Sequence, residues 1–181
     1  STPSGEWMNG IATYSVWWMI LQYELYMYTG DLEYLKQQED SIKEICDKVF
    51  AKIDGGYCFH DMEGFVDWSS KDSESETEGV KSVFCIGLNR AKRIFDALGI
   101  YDYCEKCGKY VEILKKDSGK VKVNKRIAGI NIFAERGTEY DIEKVSGASA
   151  ENISSFFGFY VLIAKCMSGQ ASECMDVIKE F

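Results

Sequence analysis

Ile11-Ala12-Thr13-Tyr14-Ser15-Val16-Trp17-Trp18-Met19-Ile20-Leu21-Gln22-Tyr23-Glu24-Leu25-Tyr26-Met27-Tyr28 is the run whose reading decides the fold class. Wound as a helix, it is apolar almost all round, which marks a helix packed on most of its sides. Tyr, Gln and Glu interrupt it, so it falls short of a membrane span. Thr29-Gly30-Asp31 ends it and starts the next helix. Gly30 suits the left-handed position after a helix, and Asp31 can accept from the first free amides of the helix that follows. Residues 32–53 then carry Leu32, Leu35, Ile42, Ile45, Cys46, Val49, Phe50 and Ile53 along one side and charges on the other. This is the pattern of an outer helix laid on an inner one.

The same alternation continues outward. Residues 78–98 place Val80, Phe84, Leu88, Ala91, Phe95 and Leu98 at helical spacing before Gly99. Residues 101–115 are one-sided through Tyr103, Cys104, Cys107, Tyr110, Val111 and Leu114, and Asp117-Ser118-Gly119 breaks the chain. Residues 124–135 predict a short helix with Ile127, Ile130 and Phe133 inward. Gly137 to Ala150 reads as loop with one turn at Asp141 to Val145. Residues 152–167 are again apolar nearly all round, and residues 170–181 are amphipathic through Ala171, Cys174, Met175, Ile178 and Phe181. The alternation predicts an all-α fold of stacked antiparallel hairpins with an inner and an outer layer. No fixed period supports a solenoid. A single proline, Pro3, agrees with a helical chain broken by glycine, and 181 residues with 46% hydrophobic content predict one helical domain over 1–181.

Composition narrows the partners. A net charge of −8 lacks the basic footprint of a nucleic-acid binder, and the short run Lys120, Lys122, Lys125 and Arg126 does not outweigh it. No run is long and apolar enough to predict a membrane partner. The acids Asp72, Glu74, Glu76 and Glu78 read as a solvated loop leading into a helix N-terminus. Seven cysteines is an odd count, and Cys46, Cys104, Cys107 and Cys174 fall on apolar helix faces. Cys104-x-x-Cys107 has no second CxxC and no βαβ surroundings, and His60 is the sole histidine. The reading is buried free thiols with no disulfide, no metal and no cofactor, which favours a reducing, cytoplasmic setting. The chain opens Ser1-Thr2-Pro3-Ser4-Gly5, with neither initiator Met nor signal peptide, as an excised or processed piece of something longer would.

Between Asp54-Gly55-Gly56 and Trp68 the helical pattern lapses. Tyr57, Phe59, Phe65 and Trp68 roughly alternate, and Asp61-Met62-Glu63-Gly64 can turn, which predicts a short hairpin-like insertion near 54–68. It ends in Gly64-Phe65-Val66-Asp67-Trp68, a carboxylate beside an indole. That pair suits a sugar: Asp67 accepts from vicinal hydroxyls, and Trp68 covers the apolar C–H face of the ring. The plainer alternative has Asp67 capping a turn and Trp68 filling core. Long loops at 54–77 and 136–151 are where layered helices place chemistry. Glu6, Glu63, Glu135, Glu139 and Glu151 read as surface acids, with Glu63 on the same insertion as Asp67.

Four stretches in order carry a family resemblance. They are Trp7-Met8-Asn9-Gly10-Ile11-Ala12-Thr13-Tyr14-Ser15-Val16-Trp17-Trp18, Tyr28-Thr29-Gly30-Asp31, Gly64-Phe65-Val66-Asp67-Trp68 and Ser154-Ser155-Phe156-Phe157-Gly158-Phe159-Tyr160-Val161-Leu162. Together they resemble the catalytic (α/α)6 toroid of bacterial α-L-rhamnosidases and related six-hairpin glycosidases. The resemblance implies part of that toroid and an inverting glycosidase with one carboxyl as acid and one as base. It places the acid in an acidic/Arg motif upstream of Trp7 and the base in a glutamate downstream of residues 170–181, so no catalytic residue lies within the chain. What the chain would keep is a sugar-facing wall of Asp67, Trp68, Trp7 and Glu63, with Trp17 and Trp18 nearby but better read as core. The implied partner is a carbohydrate, L-rhamnosides first. The alternative is a non-catalytic helical module binding a glycan or a protein. A partial toroid would also expose inner-helix surface and self-associate.

Overall fold

The computed structural model describes residues 7, 10–60, 63–67 and 73–180. Among these residues regular secondary structure is helical throughout, so the protein is all-α as predicted. The helices are α1 (Ala12–Thr29), α2 (Leu32–Gln37), α3 (Glu39–Asp54), α4 (Ser73–Leu98), α5 (Tyr101–Lys116), α6 (Lys125–Phe133), α7 (Glu139–Ser146), α8 (Ser155–Met167) and α9 (Cys174–Lys179), with a 3-10 turn at Ala171–Glu173 before α9. Local chemistry sets the ends. Gly30 takes φ 67° and its N–H donates to Tyr26 O at 2.8 Å, while Asp31 Oδ1 accepts from Tyr34 N at 2.9 Å. The 54–68 connection turns through Tyr57 N–H to Lys52 O and Glu63 N–H to His60 O, with no strand ladder among its described residues.

Three expectations need correction. The 32–53 run is two helices, α2 and α3, with Gln38 between them. The predicted turn at Asp141 to Val145 is the eight-residue helix α7, opened by a capping box in which Thr138 and Asp141 satisfy each other's backbone. From Ser73 onward the acid run lies within α4 rather than in a solvated loop, and Glu78 is buried at 4% exposure, while Asp72 lies outside the described residues. The reason is a pair of buried arginines, Arg126 paired with Glu76 and Arg136 with Glu78.

The chain forms two compact units. The first comprises Ser1–Phe65 with Val83–Ile113. In it α4 lies against α1 at Gly87, where a Cβ would stand 2.3 Å from Val16 Cγ1 and 3.0 Å from Met19 Cε. Met19 Sδ touches Cys46 Sγ of α3 at 3.7 Å, and α5 closes on α3 through Tyr110 stacked on Phe50, centroids 4.3 Å apart. Tyr110 donates to Asp54 at 2.6 Å, and that bond, with burial, pushes its phenol up to about 12. Burial and a 2.8 Å bond to Asp47 raise Tyr103 to about 12 as well. Leu21, Leu25, Met27 and Tyr28 remain exposed along α1.

The second unit comprises Val66–Ser82 with Leu114–Phe181. Here α6 packs on α8 so closely that a Cβ on Gly129 would lie 3.2 Å from the Val161 backbone. Arg136, just past α6, is fully buried and donates to Leu114 O, to Glu78 O and Oε2, to Ser82 Oγ and to Asp117 O. Phe156, Phe159 and Met167 of α8 face solvent. Cys46, Cys85 and Cys107 are buried as expected of apolar thiols, but Cys104 and Cys174 are only half-buried, and none of the seven cysteines is joined in a disulfide.

Gly87 yields the first expected outcome. Alanine gains about 1 kcal/mol over glycine in a helix interior, whereas overpacking a tight contact costs about 1–3 kcal/mol. Because Val16 and Met19 are themselves fully buried, the clash should win, and Gly87→Ala should lower the denaturant midpoint. An unchanged or higher midpoint would show that α1 yields freely.

Candidate functional site

The Asp67 carboxylate is positioned from the backbone outward. Val66, buried at 5% exposure, fits against the bare Gly79 backbone of α4; a Cβ there would stand 3.1 Å from Val66 Cγ2 and 2.7 Å from Ile127 Cδ1. That seat brings Asp67 to the starts of α6 and α8. Asp67 Oδ2 accepts from Ser154 Oγ at 2.9 Å and lies 3.1 Å from Arg126 Nη1. Ser154 is also the N-cap of α8, its Oγ accepting from Phe157 N at 3.3 Å. One hydroxyl therefore both starts a helix and orients the carboxylate.

Arg126 is the second residue of α6, a helix capped by Asn124 Oδ1. A cation in the first turn opposes the helix dipole. Two carboxylates offset this, Asp67 and Glu76, the latter through Oε1 to Arg126 Nη2 at 2.7 Å. The guanidinium also lies 5.4 Å from the Phe157 ring centroid. Side-chain exposure is 3% for Arg126, 11% for Asp67 and 15% for Glu76, so this is a nearly buried acid–Arg–acid triad beside a hydroxyl. Glu76 Oε2 and Arg126 Nη1 are buried without a hydrogen bond of good geometry. Such a set can accept from and donate to hydroxyls.

Trp7 and Glu63 belong to the first unit. Trp7 is buried at 9% exposure and its indole N–H donates to Glu63 Oε1 at 3.1 Å. Glu63 Oε2 accepts from Lys52 Nζ at 2.6 Å and from His60 N at 2.9 Å. Burial by itself pushes the Glu63 carboxyl up, but these bonds, led by Lys52, outweigh it and hold the group below the usual carboxylate range. Glu63 is thus an internally paired acid with 19% side-chain exposure rather than a surface one. The backbone follows suit: Ala12 N donates to Glu63 O and Thr13 Oγ1 to Phe65 O, tying the start of α1 to this turn. Glu135, Glu139 and Glu151 are exposed, as read, while Glu6 and Trp68 lie outside the described residues. Trp17 and Trp18 are half-buried.

A surface cavity of 380 Å³ opens in the first unit, lined by Tyr23, Glu24, Met27, Tyr28, Arg90 and Arg93. Arg90 lies 5.0 Å from the Tyr23 ring centroid and donates to Glu24 at 3.1 Å. Tyr28 is 90% exposed. Sequence reasoning passed over this cavity and over Arg126 and Glu76. The available signal for Arg126 was its place between a capping Asn124 and the buried Ile127, which sets it on a helix start rather than in a basic surface patch.

Comparison with protein-family models, with curated proteins and with solved structures found no match to this chain.

Two outcomes follow from these clusters. Removing a buried cation leaves its carboxylates uncompensated, so Arg126→Met should cost about 3–5 kcal/mol, against about 1 kcal/mol for the lost cap in Ser154→Ala. Equal costs in urea titrations would mean that the triad is wet and weak. For Glu63 the folded value is depressed, so its contribution is full above the unfolded value of about 4.3 and fades as pH falls through the folded one. Glu63→Gln should flatten the acid side of a stability–pH profile, and an unaltered slope would assign that slope to other groups.

Proposed function

We propose that this chain is a helical segment of an α-L-rhamnosidase-like inverting glycosidase, carrying part of its sugar-binding wall while the general acid and base come from segments outside residues 1–181. The observation that supports the reading is a pairing, within each compact unit, of residues from these stretches that lie far apart in sequence. Ser154 of the last stretch holds Asp67 of the third, 87 residues apart. Trp7 of the first holds Glu63, the neighbour of the third. In this reading Asp67 accepts from adjacent hydroxyls of the sugar, Arg126 and Ser154 fix its direction, and Trp68 covers the C–H face of the ring. Proton transfer at the glycosidic oxygen and activation of water on the opposite face then fall to the two absent carboxyl groups. The exposed apolar sides of α1 and α8 support self-association of the isolated chain.

A second reading, a non-catalytic module that binds a glycan, is supported by the cavity beside the exposed Tyr28. The readings separate by binding and turnover on one protein. L-Rhamnose and its methyl α-glycoside should bind weakly, as seen by ligand-detected NMR. Losing a hydrogen bond to a charged group costs about 1.5–3 kcal/mol, so Asp67→Asn should weaken binding about tenfold or more. Trp68→Ala should cost about 1 kcal/mol. Aryl α-L-rhamnosides and other aryl glycosides should show no turnover. Binding lost with Tyr28→Ala but kept with Asp67→Asn would select the module. Turnover that co-purifies with the chain and disappears in Glu63→Gln or Asp67→Asn would overturn the assignment of acid and base to absent segments.

A further inference from the structure

Cys166 and Cys174 meet at the corner between α8 and α9, their Sγ atoms 3.7 Å apart. Cys166 is exposed near the end of α8, and Cys174 is half-buried at the start of α9. The approach does not depend on the sulfurs alone. Lys165, almost fully buried, ties Ser146 O at 3.0 Å to Glu173 Oε2 at 2.7 Å, and Gln170 N donates to Lys165 O at 2.8 Å. Those bonds set the path of the residues linking the two cysteines. A disulfide needs an S–S distance of about 2.05 Å, so the sulfurs must close by roughly 1.7 Å, within reach of side-chain rotation and a small shift of the six-residue helix α9.

The same chain holds a second thiol pair at nearly the same distance. Cys46 and Cys107 have Sγ atoms 4.0 Å apart, but both are fully buried. Distance is therefore matched while access is opposite.

We propose that Cys166 and Cys174 are a redox modification site, closing to a reversible disulfide with a small-molecule disulfide such as oxidised glutathione, while Cys46 and Cys107 stay reduced in the folded chain. The exposed Cys166 reacts first. Its thiolate attacks one sulfur of the reagent, the reagent's S–S bond breaks, and one glutathione leaves as thiolate and takes up a proton. Cys174 then gives its proton to solvent and attacks Cys166 Sγ, expelling the second glutathione. Two cysteine thiols are oxidised and one disulfide is reduced to two thiols, so no other electron acceptor enters. Access decides the order. Burial, then the contact with Cys166, pushes the Cys174 thiol up, which suits a resolving thiol next to its target better than a first attacker in solution. Burial and Cys107 push Cys46 well up, which adds to its lack of access. Closure would pin α9 to α8.

The test uses the full chain. After incubation with oxidised glutathione, free thiols are alkylated under native conditions and the digest is mapped by mass spectrometry. The expected product is a peptide pair linked through Cys166 and Cys174, short of two hydrogens and restored by dithiothreitol. Cys46 and Cys107 should be alkylated only after unfolding. Cys174→Ser should trap glutathione on Cys166, and Cys166→Ser should slow reaction at the corner at least about tenfold, in keeping with loss of the accessible thiolate. Glutathione accumulating on Cys166 of the unsubstituted chain would overturn the proposal. So would closure of Cys46 with Cys107 before Cys166 with Cys174.

Discussion

The Arg136 guanidinium sits entirely out of water, and the second unit is built around satisfying it. An ion moved into a protein interior costs several kcal/mol unless its partners are in place. Arg136 finds acceptors on α4, at the end of α5 and on the turn after it: Leu114 O at 3.0 Å, Glu78 O at 3.2 Å, Ser82 Oγ at 2.7 Å, Glu78 Oε2 at 3.0 Å and Asp117 O at 3.4 Å. The demand then propagates. Glu78 Oε1 accepts from Lys81, which also reaches Asp117. Ser82 donates to Asn131, Asn131 donates to Asp141, and Asp141 closes the capping box of α7. A chain of hydrogen bonds thus runs from a buried charge to the start of a helix. Each link polarises the next in a setting of low dielectric.

The Asp67 corner uses the same device at a smaller scale. Arg126 is nearly as deeply buried, but its partners are carboxylates from two different segments, and one of them is held in turn by a helix-capping hydroxyl. In the Arg136 network the acceptors are largely backbone, and the result is scaffold. Around Arg126 they are side chains with polar atoms left over, and the result is an oriented acidic patch beside an aromatic ring.

What the sequence made legible follows from how local each cause is. The end of α1 at Gly30 and the cap at Asp31 are decided within a few residues, and both could be read directly. The core-facing stripe of α3 likewise needed only periodicity. Glu76 and Glu78 were misread because their partners, Arg126 and Arg136, stand 50 and 58 residues away; four acids in a row look solvated until a buried cation is known. Helix α7 went unread although Thr138-x-x-Asp141 is a capping pattern, since its core-facing stripe is short. Of the candidate site, Asp67 and Ser154 lay within stretches already singled out. The cation between them lay in a basic run that net charge made easy to set aside.

The choice of acceptors around Arg136 has an evolutionary consequence. Three of its five bonds end on carbonyls of residues 78, 114 and 117, and a carbonyl is supplied by whichever amino acid occupies the position. Leu114 and Asp117 can therefore drift in identity without breaking their bonds to Arg136, so long as the backbone holds its course. Arg136 has no such latitude, because no other side chain offers five donors in a fixed planar fork. Variation among descendants of this chain should therefore be lopsided: the Arg136 network demands the arginine itself, but asks of residues 114 and 117 only their backbone course, leaving their side chains to be constrained by core packing and by Lys81.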